Sequence, residues 1–383
     1  MRALVFSRKP ARYAAAMVAG SLRPGRGARY GPLSLRDVDP PEPPGPSWLR
    51  LRPRLSGICG SDLATIDGRA SRYFEPIVSF PFTPGHEIVG DLDDGRRVAV
   101  VPVLGCETRG IDPPCGPCAA GRLNLCERIA FGHVEPGLQS GYCTSTGGGW
   151  SEEMVVHPSQ VVPVPDELDD EAAVLVEPTA CAVHAARRAD AGRVAVIGSG
   201  TLGLLTIAAL RHLSTAAEIM ATAKHPEQQR WAKELGADVV STPDELARIV
   251  RSATGSMVTG DQLAGGVPSV VDCIGSEASL TQALQVVAPG GTVHALGMPA
   301  RTTLDLTALW HRETSLRGCY AYDRADFAAA VDLVATLDLG RLVSARYPLA
   351  RYEDAIDHAA TAGRRGAVKI AFDLRADHRR PRP

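Results

Sequence analysis

VAVIGSGTLGLL, residues 194–205, joins an apolar strand pattern to an apolar helix pattern through a glycine-rich turn. The turn places Gly198, Gly200 and Gly203 in the order G-x-G-x-x-G. In this setting the first glycine permits a tight turn, the second lets the backbone approach a pyrophosphate, and the third lets the helix pack closely on the strand. The positive end of the helix dipole attracts phosphate charge. The turn therefore predicts a dinucleotide-binding site.

Strand and helix patterns alternate around this turn, from about residue 169 to residue 317. The strand patterns are RVAVIG (193–198), EIMAT (218–222), DVV (238–240), SVVDCIG (269–275) and TVHALG (292–297). Amphipathic or apolar helix patterns, such as TLGLLTIAALRHL and PEQQRWAKELGA, lie between them. Alternation of this kind predicts an α/β fold with a doubly wound parallel sheet, a Rossmann domain.

The remaining sequence has a different texture. The first 165 residues are rich in Gly and Pro, with short apolar runs such as RVAVVPVL and EEMVVHPSQVVPV. Apolar runs broken by turn residues predict an irregular, mostly β domain. The patterns near and after residue 317, SLRGCYAY, ADFAAAVDLVATL and AVKIAFDL, fit either further Rossmann units or a return to the first domain.

The segment after the second Rossmann strand bears on the choice of nicotinamide cofactor. An acidic residue there would hydrogen-bond the ribose 2′-hydroxyl of NAD, but the sequence has Ala223, then Lys224 and His225, with Arg230 beyond. Loss of the carboxylate removes repulsion of a 2′-phosphate, and the cations attract it, which favours NADP(H). The alternative is an ordinary polar loop with NAD bound. The residues expected to bind the cofactor are Gly198, Gly200, Thr201, Leu202, Gly203, Ala223, Lys224, His225, Arg230, Cys273 and Gly275.

Composition excludes several classes of protein. The net charge of −2 provides no basic field for nucleic acid. No apolar run reaches the roughly 18 residues of a membrane span, and Arg8, Lys9 and Arg12 interrupt any signal-like segment near the N-terminus. We therefore expect a cytoplasmic protein. In a reducing compartment, clustered cysteines among the nine present indicate metal ligands rather than disulfides.

Four residues of zinc-binding type stand in short motifs. Cys59 lies in SGICGSD, His86 and Glu87 lie in PGHEIVG, and Glu177 lies in LVEPTACAVHAA. A thiolate, an imidazole and a carboxylate suit zinc. Taken alone, Cys59 could equally be a small buried residue, and Glu177 could equally be an acidic residue at the start of a helix. The adjacent His86 and Glu87 are harder to explain structurally, because both need polar partners.

Several motifs occur together in one order along the chain. They are G-x-C-G-S-D (57–62), G-H-E-x-x-G (85–90), C-G-x-C-x-x-G-x-x-x-x-C (115–126), G-G-W-S-E (148–152), E-P (177–178), G-S-G-T-L-G (198–203) and P-G-G (289–291). With this series the chain resembles the zinc-dependent medium-chain dehydrogenases/reductases of the alcohol dehydrogenase superfamily, on the sorbitol, threonine and glucose dehydrogenase side. The resemblance covers nearly the whole chain.

The resemblance implies two domains and two zinc ions. Residues 1–168 and 318–383 would form a discontinuous GroES-like catalytic domain, and residues 169–317 the Rossmann domain. The catalytic zinc would be held by Cys59, His86 and Glu177, with Glu87 beside it and able to exchange onto the metal. A structural zinc would be held by Cys106, Cys115, Cys118 and Cys126. The family pattern places the first of these four ligands at Asp112, so Asp112 or an empty thiol lobe are alternatives to the Cys106 site.

The resemblance also implies the reaction. Zinc would act as a Lewis acid on the substrate oxygen while a hydride passes between the substrate carbon and the nicotinamide. Ser61 would take the alcohol proton, but the next relay position, often histidine, is Ala64. Thr65, a ribose hydroxyl, water or Glu87 are the candidates to replace that histidine, and Asp62 is expected to fix local structure.

Substrate and assembly are less determined. The leading expectation is a dehydrogenase of an alcohol, polyol or sugar. The alternatives are an NADPH-dependent reductase of an activated C=C or C=N bond, made more credible by Ala64, and a non-catalytic nucleotide-binding protein. The glycine-rich loop GHVEPGLQSGYCTSTGGGW (132–150) is expected to line a polyol-sized pocket, to pack on the surface or to contact another subunit. We expect a homodimer or homotetramer.

Overall fold

The computed structural model describes residues 1–213, 215–260, 262–298 and 301–375. The β-strands are β1 (Arg2–Phe6), β2 (Leu33–Asp37), β3 (Leu49–Gly57), β4 (Ile88–Leu92), β5 (Arg97–Val100), β6 (Met154–Val156), β7 (Val161–Pro163), β8 (Arg193–Ile197), β9 (Glu218–Thr222), β10 (Val239–Ser241), β11 (Val258–Thr259), β12 (Gln262–Leu263), β13 (Val267–Asp272), β14 (Val287–Ala295), β15 (Ser315–Gly318), β16 (Val343–Tyr347) and β17 (Lys369–Asp373). The α-helices are α1 (Pro10–Leu22), α2 (Gly27–Tyr30), α3 (Gly60–Ile66), α4 (Gly116–Ala119), α5 (Asp170–Ala173), α6 (Val176–Ala186), α7 (Thr201–His212), α8 (Pro226–Glu234), α9 (Leu246–Thr254), α10 (Glu277–Val286), α11 (Thr307–His311), α12 (Arg324–Leu337) and α13 (Tyr352–Ala360). Within the described residues, no helix combines the length and the apolar character needed to cross a membrane.

Contacts divide the chain into two compact units. Unit 1 comprises Met1–Glu177 and the described residues from Asp323 onward, and unit 2 comprises the described residues of Pro178–Tyr322. Unit 1 is thus a discontinuous domain, built from two segments that are separated along the chain.

Unit 2 is built on a parallel sheet with the strand order β10-β9-β8-β13-β14-β15. β8 pairs with β9 on one side and with β13 on the other, so the strand order reverses at β8. Val194, Ala195 and Val196 are completely buried, as expected of a central strand covered on both faces. This order confirms the predicted doubly wound α/β fold, and the glycine turn follows β8 at the reversal point, where such sheets bind ligands.

Unit 1 is built on a mostly antiparallel sheet with the strand order β16-β17-β3-β4-β5-β7, and β6 also pairs with β3. β17 lies antiparallel to β3 with Ala371 opposite Gly57, although the two strands are far apart in sequence. The last segment therefore returns to the first sheet, one of the two arrangements that the sequence patterns left open. The rings of Trp150 and Phe372, both fully buried, meet edge to face with 5.0 Å between centroids.

The pairing of these strands brings the zinc motifs together. The Gly57 amide at the end of β3 donates to the Glu87 carbonyl, just before β4, at 2.9 Å. The next amide, that of Ile58, donates to the Ile370 carbonyl of β17 at 2.9 Å. Cys59, which follows, caps the N-terminus of α3. Three separated stretches of the chain thus converge where β3 ends.

Two helices between β1 and β2 were not predicted from the sequence. α1 and α2 pack on each other, and the buried carboxylate of Asp67, at the end of α3, accepts hydrogen bonds from the amides of Gly25 and Gly27 at 2.9 and 3.0 Å. An added Cβ at Gly27 would overlap the Ile66 carbonyl. The close approach of α2 therefore holds the end of α3 in place.

Candidate active site and metal centres

The first metal-ligand cluster consists of Cys59, His86 and Glu87. One donor atom from each lies within 4.8 Å of the other two. His86 is 4% exposed and Glu87 is 1% exposed. Buried charged groups are costly unless they are paired or bind a metal. A thiolate, an imidazole and a carboxylate in one buried cluster fit a zinc ion.

Asp62 links two of these ligands. One carboxylate oxygen accepts the backbone amide of Cys59 at 2.9 Å, and the other lies 3.5 Å from Nδ1 of His86. With Nδ1 facing Asp62, Nε2 is the ring nitrogen left for a metal. Burial opposes a charge on His86, but Asp62 and Cys59 raise its pKa well above the usual value. A metal binds the neutral imidazole, so metal binding and protonation compete at His86.

Glu87 forms an ion pair with a lysine that the sequence motifs did not reveal. Lys369, on β17, forms an ion pair with the Glu87 carboxylate and donates to the Ile58 carbonyl at 3.2 Å. Its side chain is 2% exposed. Burial would lower the pKa of Lys369, but the charges of Glu87 and Cys59 raise it, so the lysine is cationic. Only the absence of a side chain at Gly57 leaves room for the pair.

The other candidate catalytic residues lie around α3 and α6. Glu177 is buried at the start of α6 and is not among the three mutually close donors. Ser61 and Ala64 lie on α3, and the Thr65 hydroxyl donates to the Ser61 carbonyl at 2.9 Å. Tyr142, from the glycine-rich loop, donates to Asp62 at 3.2 Å and lies 3.5 Å from the Thr65 hydroxyl. No sequence pattern pointed to Tyr142.

The second cluster consists of the four cysteines between residues 106 and 126. The sulfur atoms of Cys106, Cys115, Cys118 and Cys126 lie within 4.8 Å of one another, and no disulfide joins them. Asp112 is not part of this group. Backbone amides point at the sulfurs: that of Cys115 donates to Cys106 at 3.3 Å, and that of Cys106 to Cys118 at 3.5 Å. Four thiols with amides directed at them fit a closed tetrahedral zinc site.

The thiols differ in acidity. Although burial raises it, the pKa of Cys115 is lowered to about 7 by hydrogen bonds from the amides of Glu127 and Cys118. Burial raises the pKa of Cys126 to about 11 and that of Cys118 further. Four neighbouring thiols cannot all ionise without a cation, so a divalent metal is the partner that this cluster suits.

The glycine turn of unit 2 has the geometry that a pyrophosphate requires. Gly198 adopts a φ of +91°, and an added Cβ at Gly203 would overlap the Gly198 carbonyl. The Gly198 amide donates to the Thr222 hydroxyl at 3.0 Å, which ties the turn to the end of β9. Gly200 caps α7, so the positive end of that helix dipole lies at the turn.

The loop after β13 and the start of α7 contain the remaining members of the predicted cofactor-binding set. Cys273 and Gly275 follow β13, where the Cys273 amide donates to the Ile197 carbonyl at 3.0 Å. Asp272 accepts the amides of Ile274 and Gly275 and thereby orders this loop. Thr201 and Leu202 begin α7.

The segment after β9 contains one cation without a carboxylate partner. Ala223 is buried, and His225 caps α8. The Arg230 guanidinium pairs with Glu227 and Glu234. Lys224 is exposed, and no carboxylate among the described residues pairs with it. Of the predicted 2′-phosphate ligands, Lys224 is therefore the one whose charge is free.

Known proteins match both units. Residues 45–166 match the model of the alcohol dehydrogenase GroES-like domain, and residues 201–336 match that of the zinc-binding dehydrogenases. Sorbitol dehydrogenase of Gallus gallus is 30% identical over 364 residues, which cover 89% of this chain and 93% of the relative. The chain belongs to the zinc-binding dehydrogenase family. The GroES-like and Rossmann fold that the resemblance implied is confirmed.

Other relatives of this zinc-binding dehydrogenase agree. L-idonate 5-dehydrogenase of Vitis vinifera is 29% identical, with 86% of this chain and 89% of the relative covered. A zinc-binding dehydrogenase of Sinorhizobium meliloti, solved with NADP, is 28% identical with a TM-score of 0.71, over 89% of this chain and 96% of that one. The protein is thus an enzyme, a zinc-dependent alcohol or polyol dehydrogenase with a nicotinamide cofactor, and the expectation of a non-catalytic binding protein is disfavoured.

Proposed function

We propose that this enzyme oxidises a polyol or sugar-derived alcohol with NADP⁺, or reduces the corresponding carbonyl, at the Cys59–His86–Glu87 cluster. The observation that carries the proposal is this buried cluster of three zinc-type donors. The relatives named sorbitol dehydrogenase, L-idonate 5-dehydrogenase and D-xylulose reductase support the substrate class.

Cys59 and His86, from the observed cluster, are proposed to hold the catalytic zinc together with Glu177, which lies outside the three mutually close donors, and with Glu87 beside them. When bound, zinc supplies a Lewis acid for the substrate oxygen, and the nicotinamide supplies or accepts the hydride. Ser61 is proposed to accept the alcohol proton, and its neighbour Thr65 is the hydroxyl available to continue the relay, since position 64 is alanine. Glu87, which pairs with Lys369, is proposed as a further carboxylate that would be available to the metal.

A hydride-transfer screen tests the proposed function. Reduced nicotinamide is followed by absorbance while the protein is offered four- to six-carbon polyols, simple alcohols, an enone and a cyclic imine. We expect the wild-type protein to form NADPH from NADP⁺ when it is offered polyols, and the His86→Ala variant to form none. Consumption of NADPH with the enone or imine, without polyol oxidation, would overturn the proposal in favour of a C=C or C=N reductase, which the missing relay histidine at Ala64 also fits.

A structural zinc is proposed at Cys106, Cys115, Cys118 and Cys126, which gives two zinc ions per chain. We predict that Cys106→Ser releases one zinc and lowers the thermal midpoint, because three thiols cannot close the tetrahedron. Asp112→Asn should keep both ions. Elemental analysis and a thermal melt measure both effects. Loss of zinc in Asp112→Asn but not in Cys106→Ser would assign the fourth ligand to Asp112.

NADP(H) is proposed as the preferred cofactor, with Lys224 as the principal 2′-phosphate ligand. A charge-assisted hydrogen bond contributes about 1.5–3 kcal/mol, and each 1.4 kcal/mol is about tenfold in affinity. Lys224→Ala should therefore raise the Kd for NADP⁺ at least about tenfold and leave that for NAD⁺ unchanged, as measured by titration calorimetry. Arg230→Ala is the matched control, with a smaller expected effect because Glu227 and Glu234 already neutralise Arg230. Equal losses for both cofactors would contradict the assignment.

A homodimer or homotetramer whose subunits pair through β15 is proposed for the assembly. β15 is the edge strand of the parallel sheet, and all four of its residues are exposed. Trp310, on the preceding helix, is 78% exposed. An unpaired edge strand is a template for pairing with another chain, and a large exposed aromatic side chain beside it marks an interaction surface. Sedimentation velocity measures the oligomeric state directly.

A further inference from the structure

The glycine-rich loop that ends at Trp150 lies directly on the segment that carries His86. The amides of Gly149 and Trp150 donate to the carbonyls of Gly85 and Pro84, at 2.9 and 3.0 Å. Gly141 has a φ of +90°, and a Cβ added there would lie 2.8 Å from the Gly85 carbonyl oxygen. Glycine is therefore favoured at this contact, and the loop is held against the ligand segment by hydrogen bonds.

This contact places Tyr142 against the metal cluster. Tyr142 is 9% exposed, and its ring lies between those of Phe82 and His86, with centroid distances of 5.2 and 6.0 Å. The hydroxyl donates to Oδ1 of Asp62 at 3.2 Å. That oxygen is the one 3.5 Å from Nδ1 of His86. Tyr142 therefore contacts His86 in two ways: its ring lies beside the imidazole, and its hydroxyl binds the same Asp62 oxygen that faces Nδ1 of His86.

We propose that Tyr142 is a positioning residue of the catalytic metal centre, which acts on His86 through Asp62. The inference rests on the proposed metal site at Cys59 and His86. Asp62 is 1% exposed, so water cannot replace a lost hydrogen bond to it. With the hydroxyl present, one carboxylate oxygen is held by the Cys59 amide and the other by Tyr142, which fixes the carboxylate plane. Nδ1 of His86 has no hydrogen-bond partner among the described residues, and Oδ1 of Asp62 is the acceptor that faces it at 3.5 Å, so the held carboxylate restricts how the imidazole can turn.

Outer partners of zinc-binding histidines commonly change metal affinity by about 10- to 100-fold. Tyr142→Phe removes only the hydroxyl and keeps the ring in its place between Phe82 and His86. We expect the variant to bind zinc at the catalytic site about tenfold more weakly than the wild type. The loss should be absent when Asp62→Ala is already present, because the side chain at position 62 then has no acceptor through which Tyr142 can act on His86.

The experiment measures zinc transfer from the holoprotein to a chromogenic chelator, with retained zinc quantified by elemental analysis. The variants are Tyr142→Phe, Asp62→Ala and the double variant. Tyr347→Phe is the matched control, since the Tyr347 hydroxyl also contacts a histidine, His358 at 2.9 Å, outside the cluster. It should retain zinc as the wild type does.

Three results separate the possible failures. If His86→Ala retains as much zinc as the wild type, the proposed metal site is wrong. If His86→Ala loses one zinc but Tyr142→Phe binds zinc within twofold of the wild type, the inference about Tyr142 is overturned. Independent losses that add in the double variant also overturn it, because they show that Tyr142 does not act through Asp62.

Discussion

Cys59→Ala is expected to reduce hydride transfer by well over 100-fold and to lower the zinc content from two ions per chain to one. Replacement of even an outer partner of a zinc ligand commonly costs about 10- to 100-fold, and a ligating thiolate contributes more than its supporting group. Cys59 is also the N-cap residue of α3. Reduced-nicotinamide absorbance and elemental analysis measure the two effects.

Cys143→Ala is the matched control for this substitution. Cys143 is fully buried among apolar residues and belongs to neither cluster. The control should keep both zinc ions and full turnover, with a modest loss of stability from the small cavity. An unchanged zinc content in Cys59→Ala would mean that Cys59 is not a ligand, and the catalytic assignment would fail.

Lys369→Met is expected to destabilise the protein by about 3–5 kcal/mol, because it leaves the buried carboxylate of Glu87 without its counter-charge. Both side chains are almost completely inaccessible, at 2% and 1% exposure. Glu87→Gln alone should also destabilise, since Lys369 would then be the unpaired charge. The double variant should recover most of the loss, because it removes both charges together.

Urea unfolding of the zinc-loaded protein measures this cycle. The control pair is Arg8→Met and Glu75→Gln, an ion pair whose side chains are 69% and 50% exposed. Exposed pairs contribute about 1 kcal/mol or less, so these variants should differ little from the wild type. Additive losses at Glu87 and Lys369 would contradict a coupled buried pair.

Two residues of the site, Lys369 and Tyr142, could not be predicted from the sequence because their partners lie far away along the chain. Lys369 stands 282 positions after Glu87, in a strand pattern where lysine normally reads as a solvated residue. Tyr142 stands 80 positions after Asp62, in a loop without regular periodicity. Neither residue lies in a short motif, so only the pairing of β17 with β3 and the seating of the loop on Gly85 reveal them. The helices α1 and α2 were not predicted, for a different reason. Their alanines and glycines do not form a clear apolar face.

The amino-acid sequence by itself predicted the doubly wound sheet, the glycine turn, the group of four cysteines and the motifs that carry Cys59, His86 and Glu87, whereas Glu177, predicted as a ligand with them, is not among the mutually close donors. Each of these is a local pattern, in which a few neighbouring residues impose a backbone conformation or supply donors at a defined spacing. Only the tertiary structure decided that β17 returns to β3, that Glu87 pairs with Lys369 and that Tyr142 meets Asp62 beside His86. These contacts join residues that are distant along the chain, and they exist only because sheet pairing and burial bring their elements together.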